Sequence, residues 1–431
     1  MAERVFDIVV VGAGPAGEVA AARLAEAGRT VAIVESELVG GECSYWACMP
    51  SKALLRPAEL LDEARRVDGA REAVTGDLDA EEVLRRRDRV ISGLDDEHQL
   101  AFLNDRGIEL FRGHGRLDGE RHVRVGDEIL RAGEAVVLAT GSGAAVPPIP
   151  GLADVAPWSN REATTASRVP KRLLVLGGGV VGVELAQAWA SLGSTVTLVE
   201  AAPRILTREE PFASADVADG LRERGVDVRE GAKATAAARE DGEVTLTLDS
   251  GEAVTADEIL VAVGRRPLTD DLGLETVGLQ PGEYLPTDDR LQVPGHPWLY
   301  ALGDVNGRSL LTHMGKYQAR VISDAIEGGD LRATRDDASA PRVVFTDPQV
   351  AAVGLTLEQA KQQVLQEFPP GATFGVEDAD EPRCLLMDIR SPLVEAVMDG
   401  YRPMVGFLTD SGSDEALDRS RVDSAIFTLA S

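Results

Sequence analysis

Phe6 to Val11 reads FDIVVV, an apolar, β-branched run with a single acid in it. A strand buried on both faces shows such a near-continuous run rather than alternation. The run enters GAGPAG, Gly12 to Gly17, and Glu18 to Ala27 then follows a helical pattern closed by Gly28. Thr30 to Val34 predicts a second strand, ended by Glu35. The same grammar returns later in the chain. Arg172 to Leu176 predicts a strand, GGGVVG follows at Gly177 to Gly182, Glu184 to Ser191 predicts a helix, and Thr195 to Val199 a strand ended by Glu200. The two glycine turns start 165 positions apart (177 − 12), and each acid lies 23 positions after its first glycine (35 − 12 and 200 − 177). This is a duplicated unit rather than a short repeat period.

The remaining pattern is less regular. Leu54 to Gly119 reads as mostly helical and rich in Arg, Asp and Glu. Glu134 to Thr140 predicts a strand ending in the turn Gly141-Ser142-Gly143, and Glu258 to Gly264 mirrors it. The Pro-rich stretch Val146 to Gly151 is the best candidate linker. Trp298 to Val305 predicts another buried strand, followed by a helix from about Leu311. Beyond Gln362 the periodicity is too weak to assign.

Each G-x-G-x-x-G here follows a strand, opens a helix and has an acid at the end of the next strand, which is the context of a dinucleotide-binding turn. Gly12 and Gly177 would make the tight turn, and Gly14 and Gly179 would let backbone approach a pyrophosphate. Gly17 and Gly182 would let helix pack on strand. Pro15, Ala16 and Val181 fall at the helix starts, where free N–H groups and the helix dipole favour phosphate. Glu35 and Glu200 would each accept a hydrogen bond from a ribose hydroxyl. A carboxylate there repels a 2′-phosphate, so the second site favours NAD over NADP.

Composition narrows the function classes. In 431 residues, 72 Asp and Glu oppose 44 Lys and Arg, a net charge of −28. Such a polyanion repels phosphate backbones and anionic lipid, so neither nucleic acid nor a membrane surface is an expected partner. No apolar run reaches the roughly 18 residues of a membrane span, and the charged N-terminus is no signal peptide, so a cytoplasmic location is expected. Three cysteines exclude a secreted disulfide scaffold.

Two of them, Cys43 and Cys48, lie in GGECSYWACMPSK, Gly40 to Lys52, a few positions past Glu35. Gly41 and Glu42 open that segment at the carboxyl edge of the first sheet, beside the first dinucleotide site. Two close thiols beside a bound cofactor can cycle as a redox disulfide. Zinc would need about four ligands, and no His or third Cys lies nearby, so no metal site is expected. A pair of buried cysteines is the remaining reading. Cys384 reads as a small hydrophobe, and His313 as a packing residue rather than a base.

From residue 5 to about 360 the chain resembles the class I pyridine nucleotide–disulfide oxidoreductases, the family of dihydrolipoamide dehydrogenase, glutathione reductase and mercuric reductase. GAGPAG, the Cys43/Cys48 segment running into Pro50-Ser51-Lys52, Ala139-Thr140-Gly141, GGGVVGVELA, VAVGRRP and ALGDV followed by LLTHMGKYQA carry the resemblance. It implies an α/β fold with two Rossmann-like domains binding FAD and NAD, plus a shortened α+β dimer-interface domain. The expected bounds are 1–155 and 276–335 for FAD, 156–275 for NAD(P) and 336–431 for the interface. It also implies that Cys48 is the flavin-proximal thiol and Cys43 the interchange thiol. Lys52 would lie near flavin N5 with Glu184 as its ion-pair partner, and Asp304, after Gly303, would bind the ribityl chain. Thr140, Gly141, Gly264 and Arg265 fall in cofactor-contacting motifs, with Arg265 and Arg266 expected on the NAD or at the surface.

The chain departs from the family in two ways. Tyr45 and Ala47 stand where Asn and Gly are common. The family's terminal His, followed five positions later by Glu, is absent, since the last histidine is His313. The expected function is therefore NADH-linked exchange of electrons with a disulfide or dithiol through Cys43–Cys48, in a homodimer if the C-terminal region folds. An NADH:acceptor reductase that bypasses the thiols and a degraded flavoprotein with a binding role are the alternatives.

Overall fold

A computed structural model describes residues 3–337, 339–360 and 362. Of these, 3–337 and 344–350 form one compact unit, and 339–343 with 351–360 and 362 belong to a second. The expected interface region lies mostly outside the described residues, as does Cys384.

The first unit opens with β1 (Glu3–Val11), α1 (Pro15–Glu26) and β2 (Val31–Glu35), followed by α2 (Gly41–Tyr45) and α3 (Cys48–Arg66). Helices α4 (Ala80–Val90) and α5 (Glu97–Asn104) precede strands β3 (Glu109–Arg112), β4 (Gly115–Leu117), β5 (His122–Val125) and β6 (Glu128–Leu138). The expected helical stretch thus ends near residue 104. Segments of four and three residues such as β3 and β4 are too short to declare a period of two.

These strands build one sheet in the order β3-β2-β1-β6-β5-β4. β1 is parallel to β2 and β6, while β5 runs antiparallel to β6. The apolar run of β1 feeds two cores. Ile8 and Val10 join the cluster with Leu24, while Phe6, Val9 and Val11 join the one with Phe111. A register shift between Phe6 and Ile8 puts Phe6 on the same side as Val9.

After β7 (Ser142–Ala144) and α6 (Asn160–Thr165) come β8 (Arg172–Leu176), α7 (Val180–Ser191), β9 (Thr195–Glu200), α8 (Pro211–Glu223) and β10 (Asp227–Glu230). Three strands, β11 (Ala234–Glu240), β12 (Glu243–Leu248) and β13 (Ala253–Ala256), form an antiparallel sheet absent from the sequence reading. Its signals were local: Val244, Leu246 and Leu248 alternate into the core, and Asp241-Gly242 turn with φ of 48° and 84°. β14 (Glu258–Val261) completes the parallel sheet β10-β9-β8-β14. The expected linker packs against β11, where Ala237 N donates to Pro150 O at 2.9 Å.

β15 (Arg265–Pro267) pairs with β7. β16 (Leu299–Ala301) then returns to β6 of the first sheet, and α9 (Thr312–Ile326) packs on α1. The later strand is shorter than the sequence suggested, because the chain turns at Gly303 with φ of 73°. Among the described residues no helix is long and apolar enough to cross a membrane. In the second unit, the Arg342 guanidinium donates to Gly354 O at 3.1 Å.

Candidate active site

Both glycine turns are shaped by steric limits. Gly12 has φ of +103°, and a Cβ there would lie 2.4 Å from Ala139 O. A Cβ on Gly17 would lie 2.0 Å from Gly12 O, so α1 reaches β1 only without one. Around Gly14 there is open space, and α1 begins at Pro15 with no side-chain cap. The second turn repeats this. Gly177 stands against Ala262 O, Gly182 would clash with Gly177 O at 1.9 Å, and Gly179 faces open space. Each uncapped helix start leaves N–H groups for an anion.

The paired acids match as well. Glu35 accepts from Ala13 N and Glu37 N, both at 2.8 Å. Glu200 accepts from Gly178 N at 2.6 Å and Ala202 N at 2.7 Å. A carboxylate has about four acceptor positions, so each retains capacity for a ribose hydroxyl. In the first turn of α1, burial pushes Glu18 up to about 8.

A cavity runs along the carboxyl ends of β1, β2 and β6. Gly14, Pro15 and Ala16 line it from the first turn, and Glu35, Gly41, Glu42 and Cys43 from the following segments. Thr140, Gly141, Arg265, Gly303 and Asp304 close its far side. Arg265 donates to Ser142 Oγ at 2.6 Å and to Ser142 O at 2.5 Å. Ser142 Oγ in turn donates to Asp304 at 2.5 Å. Burial raises the Asp304 carboxyl, opposed by Ser142 and Arg265. Arg265 therefore points into this first cavity, while Arg266 pairs with Asp270 at the surface.

Cys48 opens α3, where the helix dipole favours a thiolate. The Cys43 thiol donates to it, and Thr312 Oγ1 lies 3.4 Å from Cys48 Sγ. These contacts, helped by the charge of Lys52, hold Cys48 well below the ordinary thiol range. Cys43 is pushed up by the same hydrogen bond and by burial.

Lys52 follows Cys48 by four positions, one turn along the same helix face. Its Nζ donates to Glu184 Oε2 at 2.7 Å and sits 4.7 Å from the Phe345 ring centroid. Glu184, on α7, is buried and also accepts from Phe345 N at 3.0 Å. Glu184, on the helix that follows the second turn, is thus tied through Lys52 to α3, whose first residue is Cys48. Gly177, Gly179, Val181 and Gly182 of the second turn, Glu200 at the end of β9 and Gly264 just before β15 stay outside that cavity. Thr312, Ser142 and Phe345 were not singled out in the sequence, because each meets the site only through the fold.

Two dinucleotide-type turns, a thiol pair and an ion pair of the half-exposed Lys52 with the buried Glu184 define a nucleotide-dependent thiol–disulfide oxidoreductase. Comparison with known proteins agrees. Residues 6–323 match the family described as pyridine nucleotide-disulphide oxidoreductase. The chain is 36% identical over 370 residues to dihydrolipoyl dehydrogenase of Thermus scotoductus, covering 83% of this chain and 78% of that one. It is 31% identical over 366 residues to mercuric reductase of Lysinibacillus sphaericus, covering 83% and 66%. Among solved structures it resembles RclA of Escherichia coli, an HOCl-induced flavoprotein disulfide reductase, with a TM-score of 0.73 and 28% identity over 83% of this chain and 79% of that one. The chain belongs to the pyridine nucleotide-disulphide oxidoreductases, whose members are FAD-dependent and use NAD(P)H. The residues of the first cavity suit such a group: Gly14 leaves room, α1 offers its N–H groups, and Glu35 and Asp304 offer acceptors.

Proposed function

We propose that this protein is a dihydrolipoamide dehydrogenase-like enzyme that passes electrons between NADH and a disulfide or dithiol substrate through Cys43 and Cys48. The reading assigns FAD to residues 1–155 and 276–335, NADH to 156–275 and a homodimer interface to 336–431, in a cytoplasmic enzyme. The observation that carries it is the close pair Cys43 and Cys48, with Cys48 held as thiolate one helical turn from Lys52. FAD supplies the two-electron relay between nicotinamide and thiols when bound.

The residues' tasks follow from their chemistry. Gly179 and the start of α7 would hold the NADH pyrophosphate, and Glu200 would accept its ribose hydroxyl, which favours NAD over NADP. Glu184 keeps Lys52 charged and aimed along α3. Cys43, giving its proton to the Cys48 thiolate that it faces, would attack a substrate disulfide, releasing one substrate thiolate, which takes that proton from Cys48, and leaving a mixed disulfide. Cys48 would attack Cys43 of that bond, releasing the second thiol and leaving Cys43–Cys48 oxidised. One NADH and one proton then restore both thiols. The net reaction is NADH, H⁺ and a disulfide giving NAD⁺ and two thiols.

A second reading, electron transfer to a metal ion or quinone, is favoured by the lack of any histidine in residues 314–431. Similarity to a mercuric reductase supports it too, as does a solved Cu(II) complex of RclA. Cys48→Ser separates the two. Under the main reading it keeps bound flavin but loses dihydrolipoamide-dependent NAD⁺ reduction by more than about a hundredfold. Undiminished turnover in that variant would contradict the reading.

A further inference from the structure

The redox segment is held from one side by α6. Between α2 and α3 the backbone leaves helical geometry at Trp46 and Ala47. The carbonyl of Trp46 accepts from Asn160 Nδ2 at 2.8 Å and Thr164 Oγ1 at 3.1 Å. Asn160 Nδ2 also donates to Glu42 Oε2 at 2.8 Å. The next residue of α6, Arg161, reaches three partners at once. Its Nε donates to Glu42 Oε1 at 2.5 Å, and its other two nitrogens form a fork on Glu37 at 2.8 and 2.7 Å. Its guanidinium also stacks 4.1 Å from the Trp46 ring centroid.

α6 is well placed to bear this load. Ser159 and Glu162 cap its start reciprocally. Its last carbonyls are met by the buried Arg87 of α4, which donates to Thr164 O and to Ala166 O, the latter at 2.9 Å. A buried arginine is costly unless its donors are met, and these are.

The charges around the cavity give Arg161 a second task. Glu35, Glu37, Glu42 and Asp304 all line it, and among the described lining residues the fixed cations are Arg161 and Arg265. A dinucleotide would add two phosphate charges to that acidic wall. Arg161 offsets two of the four carboxylates, and Arg265 lies near Asp304 at 3.6 Å and Glu42 at 3.9 Å.

We propose that Arg161 is a positioning residue that locks the Cys43–Cys48 segment onto the first dinucleotide cavity, while neutralising the acidic wall against the cofactor's phosphates. The proposal rests on the first cavity holding FAD, as argued above. It deepens that reading by assigning Arg161 as the bridge between cofactor binding and thiol placement. It also accounts for Tyr45 and Trp46 in this segment: Trp46 supplies the stacking face, and Tyr45 OH donates to Asp95 O at 3.2 Å on the opposite side.

The test compares full-length wild type, Arg161→Ala and Arg161→Lys by two readouts. The first is FAD affinity, from quenching of flavin fluorescence at low and high NaCl. The second is the iodoacetamide alkylation rate of Cys43 and Cys48 separately, by peptide mass, after dithiothreitol reduction and desalting. Arg161→Ala should bind FAD about tenfold more weakly at low salt, the size of one lost charge-assisted hydrogen bond. Added salt should recover part of that loss, because it screens the exposed Glu37 and, more weakly, the half-buried Glu42. Cys43 should alkylate several-fold faster with Cys48 little changed. A merely structural role would expose both thiols alike and give no recovery by salt. Wild-type FAD affinity and wild-type Cys43 reactivity in Arg161→Ala would overturn the proposal.

Should Arg161→Ala fail to fold, Arg161→Lys decides. It keeps the charge but loses the fork and the stack, so Cys43 should still alkylate faster while FAD binds close to normally. A folded Arg161→Lys with wild-type Cys43 reactivity overturns the proposal. If wild-type protein takes up no FAD at all, the functional reading fails instead, and the alkylation contrast still tests the clamp.

Discussion

Cys48 receives three separate inducements to be the thiolate: the Cys43 thiol, the Thr312 hydroxyl and the Lys52 charge. They act in the same direction against burial, which alone would favour the neutral thiol. A lowered thiol pKa means that thiolate reactivity switches on at a lower pH than usual. Removing one donor must move that midpoint upward. In Thr312→Val the pH midpoint for alkylation of Cys48 should rise by about one unit, the worth of one hydrogen bond to a charged acceptor. Thr312→Ser should keep the wild-type midpoint, and an unshifted midpoint in Thr312→Val would show that the hydroxyl does not donate. Much of this residue-level chemistry was readable in the sequence. Cys43, Cys48 and Lys52 fall within ten positions, and Glu35 and Glu200 stand at fixed distances from their glycines. Thr312 and Arg161 were not readable as partners, since they lie 264 and 119 positions from Cys48 and Glu42. Arg265 was expected on the NAD or at the surface, and its place in the first cavity beside Asp304 needed the pairing of β15 with β7.

At the scale of elements, the two strand–turn–helix units use their glycines for different ends. In α7, Gly182 is packed against the turn it follows, whereas Gly179 faces open space. The same substitution should therefore have two effects. Gly182→Ala forces a Cβ into Gly177 O and should destabilise the fold by about 2–4 kcal/mol, seen as a lower melting temperature by circular dichroism. Gly179→Ala should leave the melting temperature nearly unchanged but weaken NADH binding, measured by quenching of protein fluorescence. Equal effects of the two variants on stability would contradict this division. Elements with long, buried runs were legible: β1, α1, β2, β8, α7 and β9 appear within a few residues of their expected positions. Short ones were not. β3 and β4 offer too few residues to set a period, and β11 carries Ala and charges rather than β-branched residues. β12 does alternate, with Val244, Leu246 and Leu248 turned to the core.

At the scale of the molecule, the polypeptide is arranged as a relay. Glu184, on the helix α7 that follows the second turn, holds Lys52 on α3, and α3 begins at Cys48 beside the first cavity. No single element contains this path. Pairing of β16 with β6 likewise returns Asp304 and α9 to the first sheet, although they follow the second sheet along the chain. The duplication was legible in the sequence, and so was the order of motifs along the chain. The most direct test of the relay is an anaerobic titration of the FAD-loaded protein with NADH, followed by its visible spectrum. If Cys43 and Cys48 are in the electron path, two electrons should produce a long-wavelength charge-transfer band between the Cys48 thiolate and oxidised flavin. Direct bleaching of the flavin, with no such band, would contradict the account.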